Sequence, residues 1–185
     1  MGIKEAVNDI LNEIGEDPSR EGLEGTPRRI EKMFAEITNG YGKDPAAIAR
    51  EAVYEIDYDE MVIVKDTEFY SLCEHHMLPF FGKCHVAYIP NGKIIGLSKI
   101  PRIIEVFSRR LQVQERMTVQ IANLLKDALS PKGVAVVVKG YHLCMAMRGV
   151  KKARASMITS SMNGLFRSDE RSREEFLSLI KENSL

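Results

Sequence analysis

Tryptophan is absent from this 185-residue chain, and cysteine is scarce: Cys73, Cys84 and Cys144 are the three. An odd, low count without a secretory signal argues against a disulfide scaffold and predicts a reducing, cytoplasmic setting. There each thiol is either plain core or a metal or catalytic group. Net charge is missing too, because 26 basic residues balance 26 acidic ones. Whole-chain electrostatics therefore predicts no nucleic acid and no membrane as partner, although a local basic patch can still hold a small anion. No apolar run approaches the roughly 20 residues that a membrane helix needs. The opening MGIKEAVNDILNEIGED is amphipathic and acidic, and lacks the apolar block and cleavage site of a signal peptide. Met1-Gly2 opens like a myristoylation site, but Ala6 stands where that motif needs serine or threonine. Repeats, low-complexity tracts and a linker long enough to separate domains are also lacking.

What is present suits a globular protein: 44% apolar and 28% charged residues, enough for one well-cored domain with a small N-terminal appendage. Ile3, Ala6, Val7, Ile10, Leu11 and Ile14 recur at spacings of three and four and predict a helix. A second helix starts at Thr26-Pro27, carries Ile30, Met33, Phe34 and Ile37 inward, and stops at Asn39-Gly40. The pattern then turns to strand. MVIVKD (61–66) is short and β-branched, and the runs on either side of Asn91-Gly92 read as a hairpin. Two helical stretches follow, one from Pro101 and one bearing Met117, Ile121, Leu124, Leu125 and Ala128. The valine-rich run 133–144 reads as a strand with a buried start. A further strand lies near ARASMITSS, and Ser172-x-x-Glu175 reads as the capping box of a last helix. The order predicts an α+β fold, an antiparallel sheet with helices packed on one side, after an N-terminal helical segment (1–55) and with the main unit at 56–185. A sheet covered on one side leaves edges and a face to hide, which favours a homo-oligomer.

The sharpest chemical feature is Cys73-Glu74-His75-His76. Cys-x-x-His brings two zinc-type donors close enough for one tetrahedral ion. Such a pair also arises by chance, and a buried cysteine is a common small hydrophobe. The segment SLCEHHMLPFFG reads as a loop, bounded by Pro79 and Gly82, where chemistry tends to sit. His142 and Cys144 end the valine strand, where alternation puts both on one face. Cys73, His76 and Cys144 make a three-ligand set that leaves an open fourth position, as a catalytic zinc requires. A structural zinc needs a fourth ligand, and Cys84, His75 or His142 could supply it. Cys84, on a strand with Val86 and Tyr88, reads as core, and His85 as a satisfied strand residue. If the zinc is catalytic, His75 and His142 can move protons beside it near neutral pH; otherwise they are supporting or core histidines.

Two further segments suit an anionic, base-bearing ligand. Gly96-Leu97-Ser98-Lys99-Ile100-Pro101-Arg102 leaves a strand and opens a helix, so backbone N–H groups, a hydroxyl and two cations converge. The plainer reading is a capped helix with a solvated basic face. Arg148 follows Cys144 closely. Gln114-Glu115-Arg116 places an amide beside a carboxylate, the pair a guanine edge asks for, although such a triplet is usually helix surface.

In their order and spacing CEHH, GLSKIPRI, RRLQVQER, HLCMAMRG and REEF resemble the GTP cyclohydrolase I family, with similarity running from about residue 3 to 182. The resemblance implies the tunnelling fold and one Zn2+ per subunit on Cys73, His76 and Cys144. It implies His142 as general acid/base, His75 as its assistant and Ser98 as a proton relay in a later rearrangement. Gln114 and Glu115 would hold the guanine edge, with Lys99, Arg102 and Arg148 on ribose and triphosphate, and Arg29 and Lys32 at the phosphate end. It implies GTP as substrate, ring opening with loss of formate, an Amadori rearrangement and closure to 7,8-dihydroneopterin triphosphate, the first step of folate or tetrahydrobiopterin synthesis. The implied assembly is a decamer of two pentamers with active sites at subunit interfaces. Three rivals stand beside it. A cytidine-type deaminase would need a Cys-x-x-Cys that this chain lacks. The others are a tunnelling-fold pterin or purine binder with another reaction, and a structural-zinc module with four ligands and no GTP affinity.

Overall fold

The N-terminal residues fold as their apolar spacing predicts. The computed structural model describes residues 2–181, and the chain divides into two compact units between Asn39 and Gly40. In the first, α1 (Ile3–Glu13) packs on α2 (Thr26–Ile37), with Pro27 in the first turn of α2, where a missing N–H costs nothing. Of the stripe on α1 only Val7 and Leu11 are buried, while Ile10 and Ile14 stay 58% and 71% exposed.

In the second unit α3 (Pro45–Arg50) is capped by Asp44, whose carboxylate accepts the Ala46 N–H at 2.8 Å. There follow β1 (Val53–Glu55), β2 (Val62–Cys73), β3 (Pro79–Ile89), β4 (Lys93–Ile95), α4 (Lys99–Ser108), β5 (Leu111–Gln112) and α5 (Gln114–Leu129). The chain ends with β6 (Gly133–His142), α6 (Leu143–Ala146), β7 (Met157–Gly164), α7 (Leu165–Ser168) and α8 (Glu170–Ile180). Five strands form one sheet in the order β5-β2-β3-β6-β7, and β1 pairs with β4 separately. The large sheet is antiparallel except for the two-residue β5, which runs parallel to β2.

Period-two alternation sends Val134, Val136 and Val138 to one face and Ala135 and Val137 to the other. The first face, with Phe69, Phe80, Cys84, Val86 and Tyr88, packs against Ile100, Ile103, Ile104, Met117, Ile121 and Leu125 of α4 and α5. This is the expected α+β architecture. It also has a part that the spacing did not predict. Phe166 of α7 and Phe176 of α8 cover Ala87, Ile89, Ala135 and Val137 on the opposite face, which is why the valine run reads as continuously apolar.

Four local expectations are corrected. Asn91-Gly92 does turn, with Gly92 at φ 76°, but β3 and β4 do not form a hairpin. Both edges of β3 are already taken by β2 and β6, so β4 leaves to pair with β1. The strand at 61–66 continues to Cys73 through a bulge between Val64 and Thr67, with Asp66 at φ 59°. The last helix is capped by Asp169, not Ser172: its carboxylate accepts the Ser172 N–H at 3.0 Å and the Ser172 hydroxyl at 2.6 Å. Residues 40–55, read with the N-terminal helices, belong to the second unit, because α3 packs on α4 and α5 and β1 pairs with β4.

Leu125 is fully buried at the centre of the larger core. Leu125→Ala is expected to lower unfolding stability by about 2–5 kcal/mol, read as a shift of the denaturant midpoint at unchanged slope.

Candidate functional site

One end of the sheet gathers the chemistry. β2 and β3 form a hairpin in which Leu72 pairs with Pro79 and Ser71 with Phe80, so Cys73 to Leu78 is its turn. The expected loop SLCEHHMLPFFG is thus mostly strand, with the turn confined to the residues that carry the Cys-x-x-His. The turn is closed by the Cys73 N–H donating to Leu78 O at 2.8 Å and the Met77 N–H donating to Cys73 O at 2.7 Å. Met77, not a glycine, is held at φ 56°, a conformation that costs on the order of 1–3 kcal/mol. On the neighbouring strand Phe80 pairs with His142, the last residue of β6.

Cys144 is not on the strand, as alternation predicted, because β6 ends at His142 and Leu143–Ala146 form a single helical turn. That turn nonetheless carries Cys144 to the hairpin. The donor atoms of Cys73, His76 and Cys144 all lie within 4.8 Å of one another, an arrangement that could hold a metal ion. The proposed fourth ligands Cys84, His75 and His142 stand outside that group. Cys84 is fully buried core with its thiol pushed well up by burial. Both imidazoles of the turn approach the same sulfur: Cys73 Sγ lies 3.8 Å from His75 Nδ1 and 3.9 Å from His76 Nδ1. Burial first, and then Cys73 beside it, push the Cys144 thiol up. A thiol so placed becomes a ligand when a cation replaces its proton. Two thiols and an imidazole are the donor chemistry that zinc prefers.

His142 lies flat on Phe80, with ring centroids 4.6 Å apart and planes 5° from parallel. Burial lowers its pKa and the nearby Glu115 opposes that shift. Its Nε2 is 2.9 Å from Gln114 Oε1. Gln114 was expected to hold the guanine edge, but its side chain is 1% exposed and its amide is spent inside the subunit. Its Nε2 donates to Val138 O at 3.0 Å, Met157 O at 3.1 Å and Thr159 Oγ1 at 3.1 Å. Glu115, one residue on, is exposed.

Arg116 ties the hairpin turn to the start of α5. Its guanidinium donates to Glu74 and, through Nε, to Gln112 Oε1 at 3.0 Å. That ion pair holds the Glu74 carboxyl below its ordinary range. Gln112 is buried and donates to Phe107 O at 3.0 Å and Gln120 Oε1 at 2.8 Å. His85 is buried, and its Nδ1 accepts the Asp66 N–H at 3.1 Å, as a satisfied strand residue should.

In the Gly96–Arg102 segment Ser98 stands at the N-terminal boundary of α4 without a side-chain capping hydrogen bond, and Ser98 and Arg102 are exposed. Lys99 is mostly buried, and its ammonium donates to the Glu51 carboxylate. Arg148 is exposed just beyond α6. Arg29 and Lys32 are exposed on α2 of the first unit. Sequence reasoning missed Phe80, Thr159, Gly140 and the Glu51 and Arg116 partnerships. Each is a contact across elements far apart in the chain, and spacing carries no signal for it.

The family model for GTP cyclohydrolase I matches residues 3–181. The GTP cyclohydrolase 1 of Deinococcus radiodurans is 58% identical over 92% of this chain and 79% of its own length. That of Chlorobaculum tepidum is 57% identical over 95% and 79%. The Leptospira biflexa protein of the same name is 55% identical over 96% of this chain and 97% of itself. A solved archaeosine synthase QueF-Like, in the apo form, overlaps 56% of this chain and 93% of its own at a TM-score of 0.44 and 21% identity. With a family model spanning nearly its whole length and relatives more than half identical, this chain belongs to the GTP cyclohydrolase I family.

Proposed function

We propose that the chain opens the imidazole ring of the guanine in GTP, releases formate and closes the product to 7,8-dihydroneopterin triphosphate. The observation that carries the reading is the convergence of Cys73, His76 and Cys144 at the strand end where His142 sits. We take the three as ligands of one zinc ion per subunit. When bound, zinc supplies a Lewis acid and brings the acidity of a water molecule near neutrality.

The remaining work falls to side chains. His142, flat on Phe80, exchanges a proton with the purine ring nitrogen as the ring opens. His75 assists beside it from an exposed position on the turn. Glu115 accepts the two donors of the guanine edge, N1–H and the exocyclic amine. Arg102 and Arg148 neutralise the triphosphate, and Ser98 relays protons in the later rearrangement. Lys99 joins the anion site by exchanging the Glu51 carboxylate for phosphate. Holding a tetra-anion in one pose turns the successive steps into unimolecular ones.

The exposed His75, His76 and Glu115 and the uncovered stripe on α1 support a homo-oligomer, a decamer of two pentamers, with active sites completed across interfaces. Three free thiols suit a reducing cytoplasm, and no helix among the described residues is long and apolar enough to cross a membrane.

Zinc-loaded chain incubated with GTP is expected to release formate and, after oxidation, to yield a fluorescent pterin in equal amount. Formate without pterin would remove the rearrangement from the reading, and neither product would remove the reaction. Elemental analysis separates the ligand sets. Cys144→Ser should lose zinc and Cys84→Ser should keep one ion per chain; stoichiometric zinc in Cys144→Ser contradicts the assignment. Native mass should come to about ten times the 20.9 kDa chain, and a monomer would refute the interface site.

A further inference from the structure

Gln114 is too deeply buried to greet a substrate, yet its amide is fully engaged. Two of the three acceptors facing its Nε2, Val138 O and Met157 O, are backbone carbonyls, which cannot donate. The atom facing them must therefore be the NH2, and the orientation of the amide is fixed by chemistry rather than by choice. The hydroxyls agree. The Thr118 hydroxyl donates to Gln114 O at 2.7 Å, so the Thr159 hydroxyl donates to Thr118 Oγ1, also at 2.7 Å. That leaves a lone pair on Thr159 Oγ1 for the Gln114 amide. Gln114 Oε1 is thus an acceptor aimed at His142 Nε2, 2.9 Å away.

An acceptor there requires a proton on Nε2, and a neutral imidazole then keeps its lone pair on Nδ1. The local backbone is shaped around this contact. A Cβ on Gly140 would stand 2.2 Å from Gln114 Oε1 and 3.4 Å from His142 Nε2. Phe80 stacked on the ring fixes its plane, so the amide and the phenyl together leave one orientation.

We infer that Gln114 is a positioning residue that holds His142 as its Nε2–H tautomer, so that Nδ1 is the nitrogen through which His142 exchanges protons with the substrate. This rests on the catalytic reading of His142 given above. Nδ1 first takes a proton from solvent water, giving the imidazolium; in the acid step that Nδ1–H bond breaks, an N–H bond forms on the substrate ring nitrogen, and the pair of electrons stays on Nδ1. The Nε2–H stays on His142, donated to Gln114 Oε1 throughout, and the imidazole returns to the neutral tautomer that the amide accepts from. The same arrangement explains why a glutamine next to the exposed Glu115 is itself turned inward.

The tautomer can be read without any turnover, by 15N solid-state NMR of zinc-loaded, histidine-labelled full chain, with His142 assigned from its loss in His142→Gln. A proton on Nε2 and a bare Nδ1 are expected in the neutral ring, and the opposite tautomer overturns the inference. Gln114→Met removes the acceptor at similar volume. It should keep its zinc, mix the two tautomers and lose about 100-fold in kcat with KM for GTP nearly unchanged. A raised KM at full kcat would mean that Gln114 reads the base instead. Gly140→Ala, which pushes on the same oxygen with Gln114 in place, should lower kcat in the same way, and full kcat there also overturns the inference. Full formate release by His142→Ala would sink the catalytic reading of His142, whereas the tautomer in the unsubstituted protein reports on the Gln114 contact alone.

Discussion

The pairing of β3 between β2 and β6 is the constraint on which the rest of the second unit depends. Its register sets Ser71 opposite Phe80 and Phe80 opposite His142. It thereby brings the Cys73–Leu78 turn and the end of β6 to the same edge of the molecule. A slip of one residue would send Phe80 to the other face and separate the turn from His142. The buried valines of β6 and the large side chains of α4 and α5 make such a slip costly, because every side chain in the core would change faces. The strength of the core therefore fixes the geometry of the site.

Polar side chains then refine what the sheet places. Gln114 joins α5 to both β6 and β7 through two carbonyls and a hydroxyl, and it ends on the imidazole of His142. Arg116, on the same helix, reaches the other way to Glu74 in the hairpin turn. The start of α5 thus grips both halves of the site, one through a buried amide and one through an exposed ion pair. The buried contact carries the greater cost if it is broken, since removing it takes a donor from a buried carbonyl at Val138 and a part-buried one at Met157, while the ion pair at the surface is screened by solvent.

Much of this was legible in the sequence. The helices of the first unit, α5, β6 and the α+β class follow from apolar periodicity, because burial of one face leaves its period in the chain. Cys73, His76 and Cys144 were legible from donor chemistry and the family likeness. The inward turn of Gln114 was not, since its partners Val138, Met157 and Thr159 lie 24 to 45 residues away. Nor was the fate of β4, because Asn91-Gly92 specifies a turn but not which strand edges remain open. The engagement of Lys99 by Glu51 escaped for the same reason, as the two are 48 residues apart.

The central claim is that the metal centre is a three-ligand, catalytic one. X-ray absorption at the zinc edge of the metal-loaded chain tests it most directly. The account predicts two sulfur neighbours at about 2.3 Å, one imidazole nitrogen, and a fourth light neighbour that no protein side chain supplies. A third sulfur or a second imidazole would contradict it, and would make the centre a structural one.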